Sequence, residues 1–129
     1  MSKIVKVEDL ISWQKSKDLT IEIYKITKNN DFSKDFGLCN QIQRAAVSIP
    51  SNIAEGFGRG GNKEFLQFLS IAKGSVYELK TQLVIALEIG YIKEIEYNKL
   101  KNDAEEIGKL ITGFMNYLNK SELKGVKYK

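Results

Sequence analysis

Apolar residues recur at alternating intervals of three and four along most of the chain. Near the C-terminus, Tyr97, Leu100, Ala104, Ile107, Ile111, Phe114 and Leu118 are spaced 3, 4, 3, 4, 3, 4. That is the seam of a long amphipathic helix. Phe65, Leu69, Ala72, Val76, Leu79, Leu83 and Ala86 repeat it as 4, 3, 4, 3, 4, 3, with Gly90 four residues further on. Leu38, Ile42, Ala45, Ala46, Ile49, Ile53, Ala54 and Phe57 predict an earlier helix beginning near Leu38. The first helix is expected over roughly Glu8 to Lys28. Its looser stripe is Trp13, Ser16, Thr20, Ile23 and Thr27, broadened by Leu10, Leu19 and Ile26. Trp13 and Tyr24 are expected to anchor it in the core. No segment alternates with period two over a strand's length.

The breaks between these segments are short: "NNDFSKDFG", "GRGG" and "GYIK". Such connections set successive helices side by side and antiparallel. The predicted fold is all-α: an antiparallel, up-down-up-down four-helix bundle with crossing angles of about 20°. It forms one domain over residues 1–120, and the basic segment 121–129 is expected to be a flexible tail.

The single proline, Pro50, falls inside the second helix. It has no N–H for the carbonyl of Ala46, and its ring crowds that turn. The apolar register nonetheless continues through Ile53, Ala54 and Phe57. A kink within one helix is therefore expected, with Ser48 or Ser51 satisfying the freed backbone. Gly56, Gly58, Gly60 and Gly61 read as stop signals and a tight reversal. Asn62 is the expected N-cap of the third helix. Gly56, Gly58 and Gly61 spell a dinucleotide fingerprint, but no strand precedes them. A Walker-type loop is excluded too, because Asn62 stands where lysine belongs and no Ser or Thr follows.

The third helix carries a second row: Phe68, Ile71, Ser75, Gln82, Ile85 and Ile89. An apolar arc this wide must be covered on two sides. Phe68, Ile71, Ile85 and Ile89 are thus the candidate interface with another copy. Beside the apolar face of the second helix runs a polar row, Arg44, Ser48, Asn52, Glu55 and Arg59. It is either a ligand face or a structural network in which Asn52 and Glu55 satisfy backbone near the proline and the arginines make ion pairs. The network is favoured, since polar groups beside a broken helix need partners.

Composition narrows the chemistry. The 129 residues contain no histidine and one cysteine, Cys39. Histidine-based nucleophile systems and most zinc sites are therefore excluded. A lone thiol fits a reducing cytoplasm, the expected location. No apolar run approaches the roughly 20 residues of a membrane span. Glu105 and Glu106 are adjacent and point apart, so they form no acid–base pair. An enzyme, a cofactor, a metal and a small-molecule substrate are not expected. Net charge is +4, and residues 121–129 hold three lysines against one glutamate. Half of the excess thus sits in that tail, and no linear basic stripe marks one helix.

The segments "DLISWQKSKDLTIEIYKIT", "QIQRAAVSIPSNIAEGFGR", "KEFLQFLSIAKGSVYELKTQLVIALEIGYI" and "YNKLKNDAEEIGKLITGFMNYL" carry a family resemblance. The chain resembles the bacterial four helix bundle proteins, also named for intervening sequences in 23S ribosomal RNA genes and formerly labelled S23 ribosomal protein. Its most specific motif comprises Ser48, Ile49, Pro50, Asn52, Ile53, Ala54, Glu55 and Gly56. The resemblance implies a non-enzymatic homo-oligomer, pentameric in known relatives. It also implies a fold similar to the accessory protein of diversity-generating retroelements, which is basic, binds nucleic acid and contacts a reverse transcriptase. The expected partner is RNA or an RNA–protein complex, with Arg44, Arg59, Lys63 and Lys73 as phosphate contacts lacking base specificity. The alternative is an adaptor that binds protein and touches no nucleic acid.

Overall fold

A computed structural model describes residues 6–123, the last three by backbone alone. A 3₁₀ turn at Val7–Asp9 is followed by α1 (Ile11–Ile26), α2 (Asn30–Lys34), α3 (Phe36–Arg59), α4 (Asn62–Ile89) and α5 (Glu94–Leu123). Four helices are long, and no strand occurs among the described residues. The expected tail begins within α5, and its last six residues lie outside the described residues. α1 packs on α3 and α5, α3 on α4, and α4 on α5. Along the α4–α5 seam, contacts pair the start of α4 with the end of α5. Asn62 reaches Leu118, Phe65 meets Phe114, and Lys80 meets Glu105.

All seven stripe residues of α4 are buried, as are five of the seven on α5. Ile42, Ala45, Ala46, Ile49 and Ile53 of α3 meet them in the same core. α1 begins later than expected because Leu10 is extended, ψ 122°, and separates the 3₁₀ turn from the helix. Trp13 packs against the core, half-buried. Tyr24 does not anchor α1, because it lies on the exposed side of the helix.

The segment between α1 and α3, expected to be a loop, contains α2. Its one fully buried side chain is Phe32, whose ring stacks on Tyr91 with centroids 5.0 Å apart. Asp35 then caps α3, accepting the Leu38 amide at 3.0 Å and the Tyr91 hydroxyl at 2.8 Å. This cap starts α3 at Phe36, two residues before Leu38. The Cys39 thiol donates to the Phe32 carbonyl at 3.0 Å. Burial and the Asp35 charge push its pKa up, so it is a packed thiol rather than a thiolate.

α3 passes through Pro50 without interruption. Neither Ser48 nor Ser51 satisfies the carbonyl that Pro50 orphans. The Thr20 hydroxyl, reaching across from α1, lies 3.0 Å from the Ala46 oxygen. It is also 2.8 Å from the Ser16 oxygen. Within α1 the Ser16 carbonyl faces the amide of Thr20 itself, four residues on, so the single hydroxyl proton is needed at Ala46.

The glycines divide by role. Gly60 has φ +83° and ends α3, and Gly90 has φ +97° and ends α4. At Gly90, the Tyr91 amide returns to the Ala86 oxygen at 2.9 Å, a Schellman closure. Gly56 is not a stop signal. It lies inside α3, and a Cβ there would sit 2.8 Å from both Phe65 Cδ1 and Phe68 Cβ. The residue is glycine so that α3 and α4 can approach. Asn62 is not the N-cap either: Gly61 holds that position. Asn62 is buried, and its side-chain amide donates to the Leu118 carbonyl at 3.3 Å.

Three outcomes are expected. Thr20→Val destabilises by about 1–3 kcal/mol in urea unfolding, the cost of a buried carbonyl left unpaired. The same change costs less in a Pro50→Ala background, where residue 50 regains an amide for Ala46, and equal costs would refute the link. Gly56→Ala costs about 1–3 kcal/mol by overpacking, although alanine is the better helix former. At the α2 corner, hydrogen bonds from Leu38 and Tyr91 hold the Asp35 pKa below 3.8. A depressed carboxylate stabilises above its unfolded value and loses that contribution as pH falls through its folded one. Below pH 3.8, therefore, the wild type should lose stability more steeply than Asp35→Asn, as read by thermal melts across a pH series.

Candidate functional site

Two members of the polar row of α3, Ser48 and Asn52, form a hydrogen-bond chain into α4. The Asn52 amide donates to the Ser48 carbonyl at 2.8 Å and to the Ser48 hydroxyl at 2.9 Å. The Ser48 and Ser75 hydroxyls are 2.8 Å apart, and Ser75 reaches the Ile71 carbonyl at 3.2 Å. One direction satisfies every proton: Asn52 to Ser48, Ser48 to Ser75, Ser75 to Ile71. Glu55 is not part of this chain. It pairs with Arg59 at 3.0 Å, and the Arg59 guanidinium lies 5.1 Å from the centre of the Phe68 ring.

Two turns along α4 from Ser75 stands Gln82. Its side chain is buried and its Oε1 has no partner among the described residues. Gln82 lines a shallow groove of about 330 Å³ between α3 and α4, with Gln41, Arg44, Ser48 and Glu78. Arg44 makes no ion pair among the described residues. The second row of α4 is thus split. Ser75 and Gln82 turn inward, while Ile71, Ile85 and Ile89 are 52%, 42% and 55% exposed. Phe68 is half-buried, and Val47 of α3 is also exposed.

The four basic candidates do not converge. Arg44 belongs to the α3–α4 groove, Arg59 is held at the end of α3, and Lys63 is exposed in the first turn of α4. Lys73 lines a different groove, between α4 and α5, with a volume of about 610 Å³. Its other walls include Tyr77, Lys80, Glu105, Lys109, Thr112, Gly113 and Asn116. Three lysines stand there against one glutamate. The α1–α5 groove sets three lysines against four carboxylates, the α3–α4 groove balances Arg44 with Glu78, and the groove beside α2 sets Lys93 against Asp31 and Glu96. Of these four, the α4–α5 groove alone has surplus positive charge. The sequence singles out Lys73 but not Lys80 and Lys109, because the convergence of the three depends on how α4 and α5 lie together.

Among the described residues no three side chains of metal-ligating type cluster, and no helix is long and apolar enough to cross a membrane. What the surface offers is a spare apolar face and a basic groove. Residues 8–113 match the family model of the 23S rRNA-intervening sequence protein, and the chain belongs to that family. It is similar to the crystal structure of a protein of unknown function from the S23 ribosomal protein family of Bacteroides thetaiotaomicron. That protein is 29% identical, with a TM-score of 0.75 over 81% of this chain and 98% of the other. The chain has no match among curated proteins.

Proposed function

We propose that this chain is a non-enzymatic, homo-oligomeric scaffold whose partner is RNA or an RNA–protein complex. In this reading it is a cytoplasmic up-down-up-down bundle, bent at Pro50, that works without cofactor or small-molecule substrate. The observation that carries self-association is the outward face of α4. Ile71, Ile85 and Ile89 extend it along the helix. Gly74 lies on the same helix, and a Cβ added there would meet nothing within 4 Å. A second helix seated on this face covers the isoleucines and approaches closely over Gly74. The ring size proposed is five, as the family resemblance implies.

The RNA partner is supported by the surplus of positive charge in the α4–α5 groove. The dispersal of Arg44, Arg59 and Lys63 favours a second reading, an adaptor whose protein partner recognises the assembled ring. Light scattering on the eluting protein should give five times the 14.6 kDa of one chain, and Ile71→Lys with Ile85→Lys should reduce it to one. A monomeric wild type refutes the scaffold. Binding to structured and single-stranded RNA should weaken steeply with salt, by about 0.7–0.9 in log–log slope per phosphate contact. If no RNA is retained at low salt, the adaptor reading replaces this one.

A further inference from the structure

We infer that the α4–α5 groove is a binding channel for single-stranded RNA, with Tyr77 as a stacking platform between two phosphate-binding lysines. The inference rests on the RNA-binding reading above and assigns it a place and a substrate class. Lys73, Tyr77 and Lys80 are four and three residues apart, so they lie on one side of α4. At 1.5 Å per residue the two lysines are about 10 Å apart along the axis, with the tyrosine between them. Tyr77 is 59% exposed although it packs in no core. Lys80 is fixed above its ring, 5.4 Å from the centre, while also pairing with Glu105 at 3.4 Å. Lys73 and Lys109 have no carboxylate partner among the described residues and face the groove from opposite walls.

A second observation fits an occupant. Gly113 lies well inside α5 and lines the same groove, yet a Cβ there would meet nothing within 4 Å. Glycine inside a helix costs stability relative to alanine. At Gly56 the close approach of α4 explains that cost, but at Gly113, as at Gly58 and Gly74, no contact among the described residues does. A ligand backbone that comes close to the α5 surface would explain it. Charge alone fits an acidic peptide equally well. The exposed ring between cations favours nucleic acid, whose bases stack on aromatic faces while lysines track the phosphates. A duplex fits less well, because its bases are already stacked on one another and leave the tyrosine no face.

The test uses the full chain and fluorescence anisotropy with labelled oligouridylate, an RNA hairpin duplex and poly-glutamate as probes. Oligouridylate should bind with strong salt dependence. Tyr77→Ala should weaken it by roughly tenfold, the equivalent of about 1.4 kcal/mol of stacking. Lys73→Ala with Lys109→Ala should weaken it and lower the salt slope by about 1.4. Gly113→Ala should raise the melting temperature while weakening binding, a pairing that a purely structural glycine would not give. Arg44→Ala and Lys63→Ala should leave binding unchanged.

Oligouridylate binding that ignores the groove variants overturns the groove and leaves the RNA reading intact. Failure of the wild type to bind any RNA overturns both. Poly-glutamate bound as tightly, indifferent to Tyr77→Ala, reassigns the groove to an acidic protein segment and overturns the inference. Preference for the duplex overturns it also. Dissociation of the oligomer by Lys73→Ala with Lys109→Ala would make the groove a subunit contact instead.

Discussion

The arrangement of the long helices depends on one carbonyl. Pro50 removes the amide that would have met the Ala46 oxygen, and that oxygen lies in the core, where an unpaired polar group is costly. The Thr20 hydroxyl meets it at 3.0 Å. Because the donor belongs to α1 and the acceptor to α3, the repair of one helix fixes the register of two. A serine within α3 would have satisfied the carbonyl locally and left α1 free to slide. Ser48 is instead turned toward α4, where its hydroxyl meets Ser75 at 2.8 Å. The proline turn is thus tied to α1 through Thr20 and to α4 through Ser48.

That double attachment bears on function through α4. Gly56 lets α3 approach until a Cβ would overlap Phe65 and Phe68. This close seam, with the serine bridge, sets the rotation of α4 about its own axis. The rotation directs Phe65, Leu69 and Leu83 inward, leaves Ile71, Ile85 and Ile89 outside, and turns Lys73, Tyr77 and Lys80 toward α5. The spare apolar face and the basic groove are therefore two sides of one helix whose orientation α3 fixes. The surfaces available for contact follow from the packing beside Pro50.

Much of this was legible in the sequence, and the misses share a cause. Periodicity located the four long helices, since spacing on a helix is a local property that survives any packing. The register running through Pro50 showed that α3 is one helix. What the sequence concealed was the partner across a gap. Ser48 and Ser51 looked like the natural repair for Ala46 because they are near in the chain, whereas Thr20 is 26 residues away. Asn62 looked like a cap and is a bridge to Leu118. Gly56 looked like a terminator and is a contact point. α2 was hidden because five residues hold too few apolar positions to show a period, and its stability comes from Phe32 stacking on Tyr91. For the candidate site, Lys73 was found as a charge, but its companions Lys80 and Lys109 became visible only once α4 and α5 were placed side by side.

The glycines give this distinction its sharpest form. Each interior glycine of a long helix carries a similar cost in helix stability, so each calls for a compensating contact. For Gly56 that contact is inside the chain: two phenylalanines at 2.8 Å from the missing Cβ. Gly108 is intermediate, with Val76 at an ordinary 3.6 Å. For Gly58, Gly74 and Gly113 the space is empty to 4 Å. Gly58 lies in the last turn of α3, beside the left-handed Gly60 that ends the helix, where a glycine costs little. Gly74 lies on the helix with the exposed isoleucines and Gly113 lines the lysine groove. In the function proposed above, a second copy of the chain would cover Gly74 and RNA would cover Gly113.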